Sequence, residues 1–337
     1  MNDPSRVRLS AAQARQLSEQ VLRNAGYDER EAWIIGDHVV EAALCGYEYS
    51  GLPKILNVLE KAKAMDPRQP MRAMHETPLS VMFDGGNNNG MLTLYWGVEA
   101  AIEKAQTSGI AIVAVTNSWT SGRGAYYVEK LARAGFIGVH TVSSARHVAP
   151  PGGMRAMLGT NPIAFGFPTE GDPLLIDLGT AAFMSTELSL YERLGRALPE
   201  GVAMDSAGQP TCDPHAARAG ALLPFGGHKG FALGLAIQAL GVLAGSGFNA
   251  AKDYGYLLLA IRPDVLLPLE TFRQHLSEEI ARIKATPRLP GVDDIRIPSE
   301  RSYSERARHM REGIVIDRTV HDALMKLAGE PATTTLP

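Results

Sequence analysis

From Ser10 onward apolar residues recur at helical spacing: Ala11, Ala14, Leu17, Val21 and Leu22 fall on one face, behind a serine suited to cap a helix. A second helical stretch runs from about Asp28 to Leu44, so the first 65 residues predict an all-helical unit. Asp66, Pro67, Pro70 and Pro78 then break the periodicity, and Ala64 to Pro78 reads as a linker. Beyond it Leu79 to Asp84 reads as a strand, DGGNNNG as a turn, Leu92 to Gln106 as a helix and Ile110 to Thr116 as a β-rich run. A helix over Tyr126 to Ala134 and a strand over Ile137 to Val142 continue the alternation, which predicts an α/β unit. Loops rich in Gly, Pro, Ser and Thr fill Ser143 to Gly166, followed by a strand ending at Asp177 and a helix over Met184 to Leu194. The longest apolar run, Phe231 to Gly247, is interrupted by Gln238 and several glycines, falls short of a membrane span and reads as a buried helix. Leu269 to Lys284 and Ser302 to Gly313 predict amphipathic helices. The helices at both ends then predict one discontinuous helical domain.

Composition narrows the function classes. The 337 residues are 45% hydrophobic and 20% charged, with mean hydropathy −0.06, which describes an ordinary soluble chain and excludes disordered and fibrous classes. A formal charge of −3, with Lys and Arg scattered, gives no footprint for nucleic acid or an anionic membrane, so a small metabolite is the expected partner. Cys45 and Cys212 lie far apart without CxxC spacing, which supports neither a disulfide framework nor a thiolate metal site. Together with an N-terminus lacking an apolar signal core, this predicts a cytoplasmic protein with no metal. His38, His75, His140, His215, His275, His309 and His321 lack metal-ligand spacing and read as surface or core residues.

Familiar nucleotide motifs are absent. The GRG of Gly122 to Gly124 lacks the third glycine of GxGxxG, and GGHKG at Gly226 to Gly230 lacks the Ser or Thr that completes a P-loop. Three loops nevertheless concentrate chemistry. LGTNPIAF, Leu158 to Phe165, offers backbone and side-chain donors, including those of Thr160 and Asn161, in a tight turn that can hold phosphate or amide oxygens or serve as a plain turn. GGHKG sets His228 and Lys229 at a predicted helix N-terminus, where the dipole disfavours a lysine unless an anion is bound. SSARHVAPPGG, Ser143 to Gly153, gathers hydroxyls, Arg146 and His147 just past a strand end, either as ligand groups or as a solvated loop.

The strings DGGNNNG, VTNSWTSG, SSARHVAPPGGMRAMLGTNPIAFGFP, LLIDLGT, ALLPFGGHKGFALGL and IRIPSERSYSERARHMREGIVI occur in this order. Over roughly residues 8 to 325 the chain thereby resembles the malate/L-lactate dehydrogenase type 2 family of NAD(P)-dependent oxidoreductases. Its end motifs look closest to the Δ1-piperideine-2-carboxylate/Δ1-pyrroline-2-carboxylate reductase branch. The resemblance implies an α/β (α+β) fold with a non-Rossmann NAD(P)-binding domain over 76–285, a discontinuous helical domain over 1–75 and 286–330, and a homodimer. It also implies cofactor contacts at Ser144, Thr160, Asn161, Asp177, Leu178, Gly179, His228, Lys229, Pro298, Ser299 and Glu300, with NADPH expected and NADH the alternative.

The chain departs from the family pattern at the expected proton-transfer residues. Where G-x-x-S-H-G-x-x-R is usual, Tyr49 takes the serine position, Ser50 the histidine and Lys54 the arginine; in the later N-S-x-H-F-G motif Thr120 replaces the histidine. Hydride delivery to a ketone develops negative charge on oxygen, for which a general acid is worth about 10²- to 10⁴-fold, and hydroxyls donate protons poorly. A cyclic imine can enter already protonated. The pattern therefore points to imine reduction, with His147 or Tyr49 as proton source, Lys54 and Arg146 holding a carboxylate, and Trp119 near the nicotinamide. A 2-oxo acid or 2-hydroxy acid dehydrogenase with relocated acid–base groups, or a non-redox binding paralogue, is the alternative.

Overall fold

A computed structural model describes residues 3–63, 66–247 and 254–329; the first two residues of the expected linker and the outermost residues of both termini lie outside these. Strand β1 (Arg6–Leu9) precedes α1 (Ala11–Asn24) and α2 (Glu29–Leu44). Ser10 and Asp28 cap these helices through reciprocal boxes with Gln13 and Glu31, each satisfying backbone amides that the first turn leaves unpaired. A 3-10 turn over Glu48–Ser50 leads into α3 (Pro53–Ala62), started by Pro53 in its first turn. The N-terminal region is not purely helical: β1 pairs antiparallel with β11 (Ile314–Asp317), tying the chain's two ends together.

The stretch read as a linker instead carries β2 (Arg72–Glu76), an exposed edge strand paired with β3 (Ser80–Asn89). Edge strands tolerate the polar and proline-flanked sequence that broke the helical pattern here. The expected DGGNNNG turn is likewise strand. β3 runs on through it with a register shift between Asp84 and Asn88, where Gly86 and Asn87 take positive φ of 61° and 60°. The Asn88 amide donates to Gly85 O, and Ser118 Oγ and Trp119 Nε1 donate to the carbonyls of Asn88 and Asn87, so side chains complete the irregular ladder.

The alternation then proceeds through α4 (Gly90–Ser108), β4 (Ile110–Trp119), α5 (Gly124–Arg133), β5 (Ile137–Ser143), β6 (Ile163–Phe167), β7 (Leu174–Leu178) and α6 (Ser185–Leu194). A small ribbon of β8 (Ala203–Met204) and β9 (Ala221–Leu222) brackets α7 (Pro214–Ala219). The chain continues through α8 (His228–Leu243), β10 (Gly255–Ile261), α9 (Leu269–Lys284) and α10 (Glu300–Glu312) to β11 and α11 (Arg318–Leu327). The main sheet is mixed, in the order β2-β3-β4-β10-β5-β6-β7, with β3 and β4 parallel and β10 inserted antiparallel between β4 and β5. One hydrophobic core runs from Val7 and Leu22 through Leu94 and Val113 to Leu324, so the terminal helices and the sheet share an interior. A second cluster, around Val148, Leu158, Phe183, Leu188 and Leu222, lies under the loops after β5 and β7.

Helix α8 differs from expectation. It buries Gly230, Gly234, Ile237 and Gly241, whose small residues allow close approach, and leaves Leu235 51%, Val242 58% and Leu243 67% exposed. Within one chain it is a half-covered helix.

Candidate active site

Between the two cores lies an inner chamber of about 150 Å³. On one side stand Tyr47, just before the 3-10 turn, Tyr49 and Ser50 within it, and Lys54 of α3; on the other are Ser144, Thr160, Pro162, Asp177 and Gly179 from the sheet ends. The loop from Thr120 to Gly124 and His147 close it. Of the expected catalytic and substrate residues, Tyr49, Ser50, Lys54, Thr120 and His147 therefore come together, as do Ser144, Thr160, Asp177 and Gly179 of the expected cofactor set. An outer chamber of about 620 Å³ between α3 and α6 shares Thr120, His147, Ser185, Thr186 and Tyr254 with the inner one.

Lys54 is 3% exposed, and among the described residues no carboxylate pairs with it. Burial, aided by the neighbouring charge of Lys61, lowers its ammonium to about 8. His147 is half-buried; burial, then Arg218 and Lys61, lower its imidazole to about 4, so it is neutral at pH 7. Burial raises the Tyr49 phenol, with Glu187 and Asp177 adding to the effect. At neutral pH the chamber's cations are thus Lys54 and Arg123, and of the two only the lysine is brought near its titration range.

The loop carrying Thr120 is held from behind by a histidine that sequence reading passed over. His38, fully buried on α2, accepts a 2.8 Å hydrogen bond at Nε2 from the backbone amide of Arg123. A Cβ on Gly122, whose φ is +75°, would lie 2.2 Å from that same nitrogen, so glycine is required. Thr120, a β-branched residue, takes φ of 60° at the mouth between the chambers, a strained conformation of the kind found at functional sites. Arg123, 8% exposed, stacks its guanidinium 4.8 Å over Tyr47. Sequence signal for Arg123 existed in the GRG string; His38 had none beyond an apolar helix face.

The sheet-side residues are bonded to their own scaffold. Asn161, fully buried with φ of 32°, accepts from Ser144 N at 3.2 Å and donates to Gly234 O and Gln238 Oε1 at 3.0 and 3.1 Å, fastening the loop to α8. The Thr160 carbonyl accepts from both Thr180 N and Thr180 Oγ1. Asp177 Oδ2 accepts from Ala125 N at 2.8 Å at the start of α5; burial raises this carboxyl, opposed by Arg123 and by amide donors.

Some expected contacts lie elsewhere. Trp119 is 1% exposed, its indole bonded to Asn87, so it supports the site from the core and does not line it. Arg146 is exposed and outside both chambers, while its neighbour His147 faces in. Leu178, His228, Lys229 and Pro298 are exposed and do not line the inner chamber. Ser299 donates to Leu175 O, and Glu300 accepts from Lys284 at 2.7 Å and from Ile297 N, anchoring that segment beside β7. The N-terminus of α8 has no side-chain cap and carries Lys229 in its first turn, an arrangement that accommodates an anion. Among the described residues no cluster of His, Cys, Asp and Glu can hold a metal ion, and no helix is long and apolar enough to cross a membrane.

Comparison with known proteins agrees with this architecture. The malate/L-lactate dehydrogenase family profile matches residues 9–325. Malate dehydrogenase of Pyrococcus abyssi is 32% identical over 97% of this chain and 95% of its own. A Δ1-pyrroline-2-carboxylate/Δ1-piperideine-2-carboxylate reductase of Pseudomonas aeruginosa is 31% identical over 95% and 99% of the two chains. The crystal structure of a dehydrogenase from Sinorhizobium meliloti superposes with a TM-score of 0.89 at 30% identity, covering 96% and 99% of the chains. The chain belongs to the malate/L-lactate dehydrogenase family and is an oxidoreductase.

Proposed function

We propose that the chain is an NAD(P)H-dependent reductase acting on the C=N bond of a small, carboxylate-bearing cyclic imine. The observation that carries this reading is the protonation of the inner chamber: Ser50 and Thr120 offer hydroxyls, His147 is neutral, and the buried cations are Lys54 and Arg123, the latter a guanidinium that does not give up its proton. Such a site suits a substrate that brings its own proton. The bound nicotinamide would supply hydride, converting a protonated imine to an amine with no proton required from the protein. Lys54 holds the substrate carboxylate as a point charge, and Ser50 and Thr120 donate hydrogen bonds beside it. Tyr49 and Pro162 exclude water.

Ser144, Thr160, Gly179 and the exposed residues Lys229 and Pro298 would hold the cofactor, with NADPH favoured by Lys229, which has no carboxylate partner among the described residues, at the α8 N-terminus, and NADH the alternative. The exposed apolar face of α8 supports a homodimer, in which a second copy covers Leu235, Val242 and Leu243. Light scattering of the wild type and of Leu243→Ser tests this; a monomeric wild type overturns it.

Lys54 favours a second reading, reduction of 2-oxo acids, because an ammonium lowered to about 8 is itself a competent acid near neutral pH. Initial rates with NADPH and NADH against Δ1-piperideine-2-carboxylate and a set of 2-oxo acids separate the two. A preference of roughly tenfold or more for the imine supports the first; turnover confined to oxo acids replaces it with the second.

A further inference from the structure

Among the described residues Lys54 is the one lysine buried in the fold, at 3% exposure. It faces the inner chamber, and its Nζ has no hydrogen-bond or ion-pair partner there. Asp177, the one carboxylate lining that chamber, is bonded to the start of α5. Lys61, about two turns further along α3, donates to the Tyr254 hydroxyl at 2.8 Å, so one helix carries a lysine with a partner and a lysine without one.

The position of Lys54 favours the uncharged amine. It lies in the first turn of α3 beside Pro53, where the positive end of the helix dipole opposes an ammonium. Burial, then the charge of Lys61, bring the group to about 8. At pH 7 about a tenth of such an amine is free of its proton, against roughly one part in three thousand for an ordinary lysine. Desolvation with a second cation nearby is what makes a lysine a nucleophile toward carbonyl carbon. The chamber also supplies the rest of what such an addition needs. Ser50 and Thr120 line it with hydroxyls that can donate to a carbonyl oxygen as the electron pair moves onto it. Arg123 keeps the interior positive whether or not Lys54 is protonated, which favours an anionic carbonyl compound. A volume of about 150 Å³ admits only a small one.

We propose that Lys54 is a covalent carbonyl-binding site that captures small 2-oxo acids as a Schiff base on its Nζ. The lone pair of the neutral amine adds to the keto carbon, and the C=O π pair passes to the oxygen, which takes up a proton to give a carbinolamine. Loss of that hydroxyl with one N–H proton, as water, leaves the C=N bond. No electrons are gained or lost, so the step needs no oxidant or reductant, and addition of water returns the amine and the 2-oxo acid. While the adduct stands it fills the chamber and removes the cation that would hold a substrate carboxylate. The inference goes beyond the reductase reading and needs neither cofactor nor turnover.

The test treats the full chain with pyruvate and sodium cyanoborohydride, which reduces C=N in preference to C=O and fixes the adduct as a secondary amine; intact mass and a peptide map read the result. The expected outcome is one adduct per chain, on Lys54, formed roughly tenfold or more faster than on any other lysine. Propanoate, which can fill the chamber but has no keto carbon, should slow it. Lys54→Met and Lys54→Arg should both lose the fast adduct while circular dichroism shows them folded. The wild-type map decides the matter even if neither variant folds: label spread over exposed lysines such as Lys63 and Lys326, with Lys54 unmodified, overturns the proposal. A fast adduct that survives in Lys54→Met overturns it too. Imine-reduction assays on the same preparation keep the two readings apart. Label on Lys54 without turnover sinks the reductase reading alone, and turnover without label sinks this inference alone.

Discussion

The two walls of the inner chamber use their polar groups in opposite ways. On the sheet side, Asp177 and the Thr160 carbonyl have committed hydrogen bonds, to the start of α5 and to Thr180, and Asn161 behind them is bonded to α8. On the α3 side, Lys54 is buried with no carboxylate partner among the described residues. A polar group bonded to its own scaffold keeps its geometry without a ligand, whereas a buried cation without a partner costs folding energy that an anion relieves. One wall is a frame and the other a receptor for charge.

Lys54→Met puts the largest strain on this contrast. It should lower kcat/KM for any carboxylate substrate by about a hundredfold or more while leaving cofactor affinity in place. It should also stabilise the fold by about 2 kcal/mol, because an uncompensated buried ammonium gives way to a well-packed apolar chain. Steady-state kinetics and urea denaturation of the one variant read both effects. A variant that is less stable, or defective in cofactor binding alone, removes the distinction between the walls.

Gly122→Ala attacks the loop between them. The new Cβ would stand 2.2 Å from His38 Nε2 at a backbone φ of +75°, and either His38 or the Arg123 amide it accepts from must move. We expect a loss of about 3 kcal/mol in stability, together with loss of turnover as Thr120 shifts. Urea denaturation together with turnover measures it, and a fully stable, active variant would show that the loop is not pinned by His38.

Protonation gives the next largest effect. The folded-state value of Lys54, about 8, lies below its usual 10.5, so between these the unfolded chain holds more protons and stability from this group rises with pH. The increment is about 3 kcal/mol across that window, and it is absent in Lys54→Met. His147 acts in the same direction lower down: with a folded value of about 4 against 6.5, its contribution is lost as pH falls through that interval. Denaturation midpoints of wild type and Lys54→Met between about pH 7 and 10 should diverge at the low end and converge at the high end.

Legibility from sequence followed the same division. Periodicity and caps located α1, α2, α5 and β5 closely, because those elements bury one clean face. It failed at β2 and at the irregular end of β3, where an edge position and asparagine side chains replace the alternating pattern that marks a strand. The apolar run of α8 was visible, but its half-covered state depends on which residues face the sheet, and glycines do. Tyr49, Ser50, Lys54 and Thr120 were named from motif position and His147 from the loop after β5, and all five line one chamber. Arg146 and Trp119, named beside them, do not line that chamber, because adjacency in sequence says nothing of which neighbour turns inward. His38 was missed because its role is to receive an amide from a loop 85 positions away.

The smallest effect distinguishes frame from receptor most finely. Asp177 is expected at the cofactor, yet its Oδ2 accepts from Ala125 N at the start of α5, and desolvation by the surrounding protein raises its carboxyl although the residue stands exposed at the end of β7. Asparagine keeps an acceptor oxygen at the same place and removes the charge. If Asp177 serves the frame, the lost charge-assisted cap and the relieved desolvation oppose each other, and Asp177→Asn should change stability by no more than about 1 kcal/mol. The KM for NADPH and NADH should then move less than the KM for substrate does in Lys54→Met. A selective rise in cofactor KM with stability intact would instead show that the carboxylate reaches the dinucleotide with its remaining oxygen, and the sheet-side wall would have to be counted as part of the receptor.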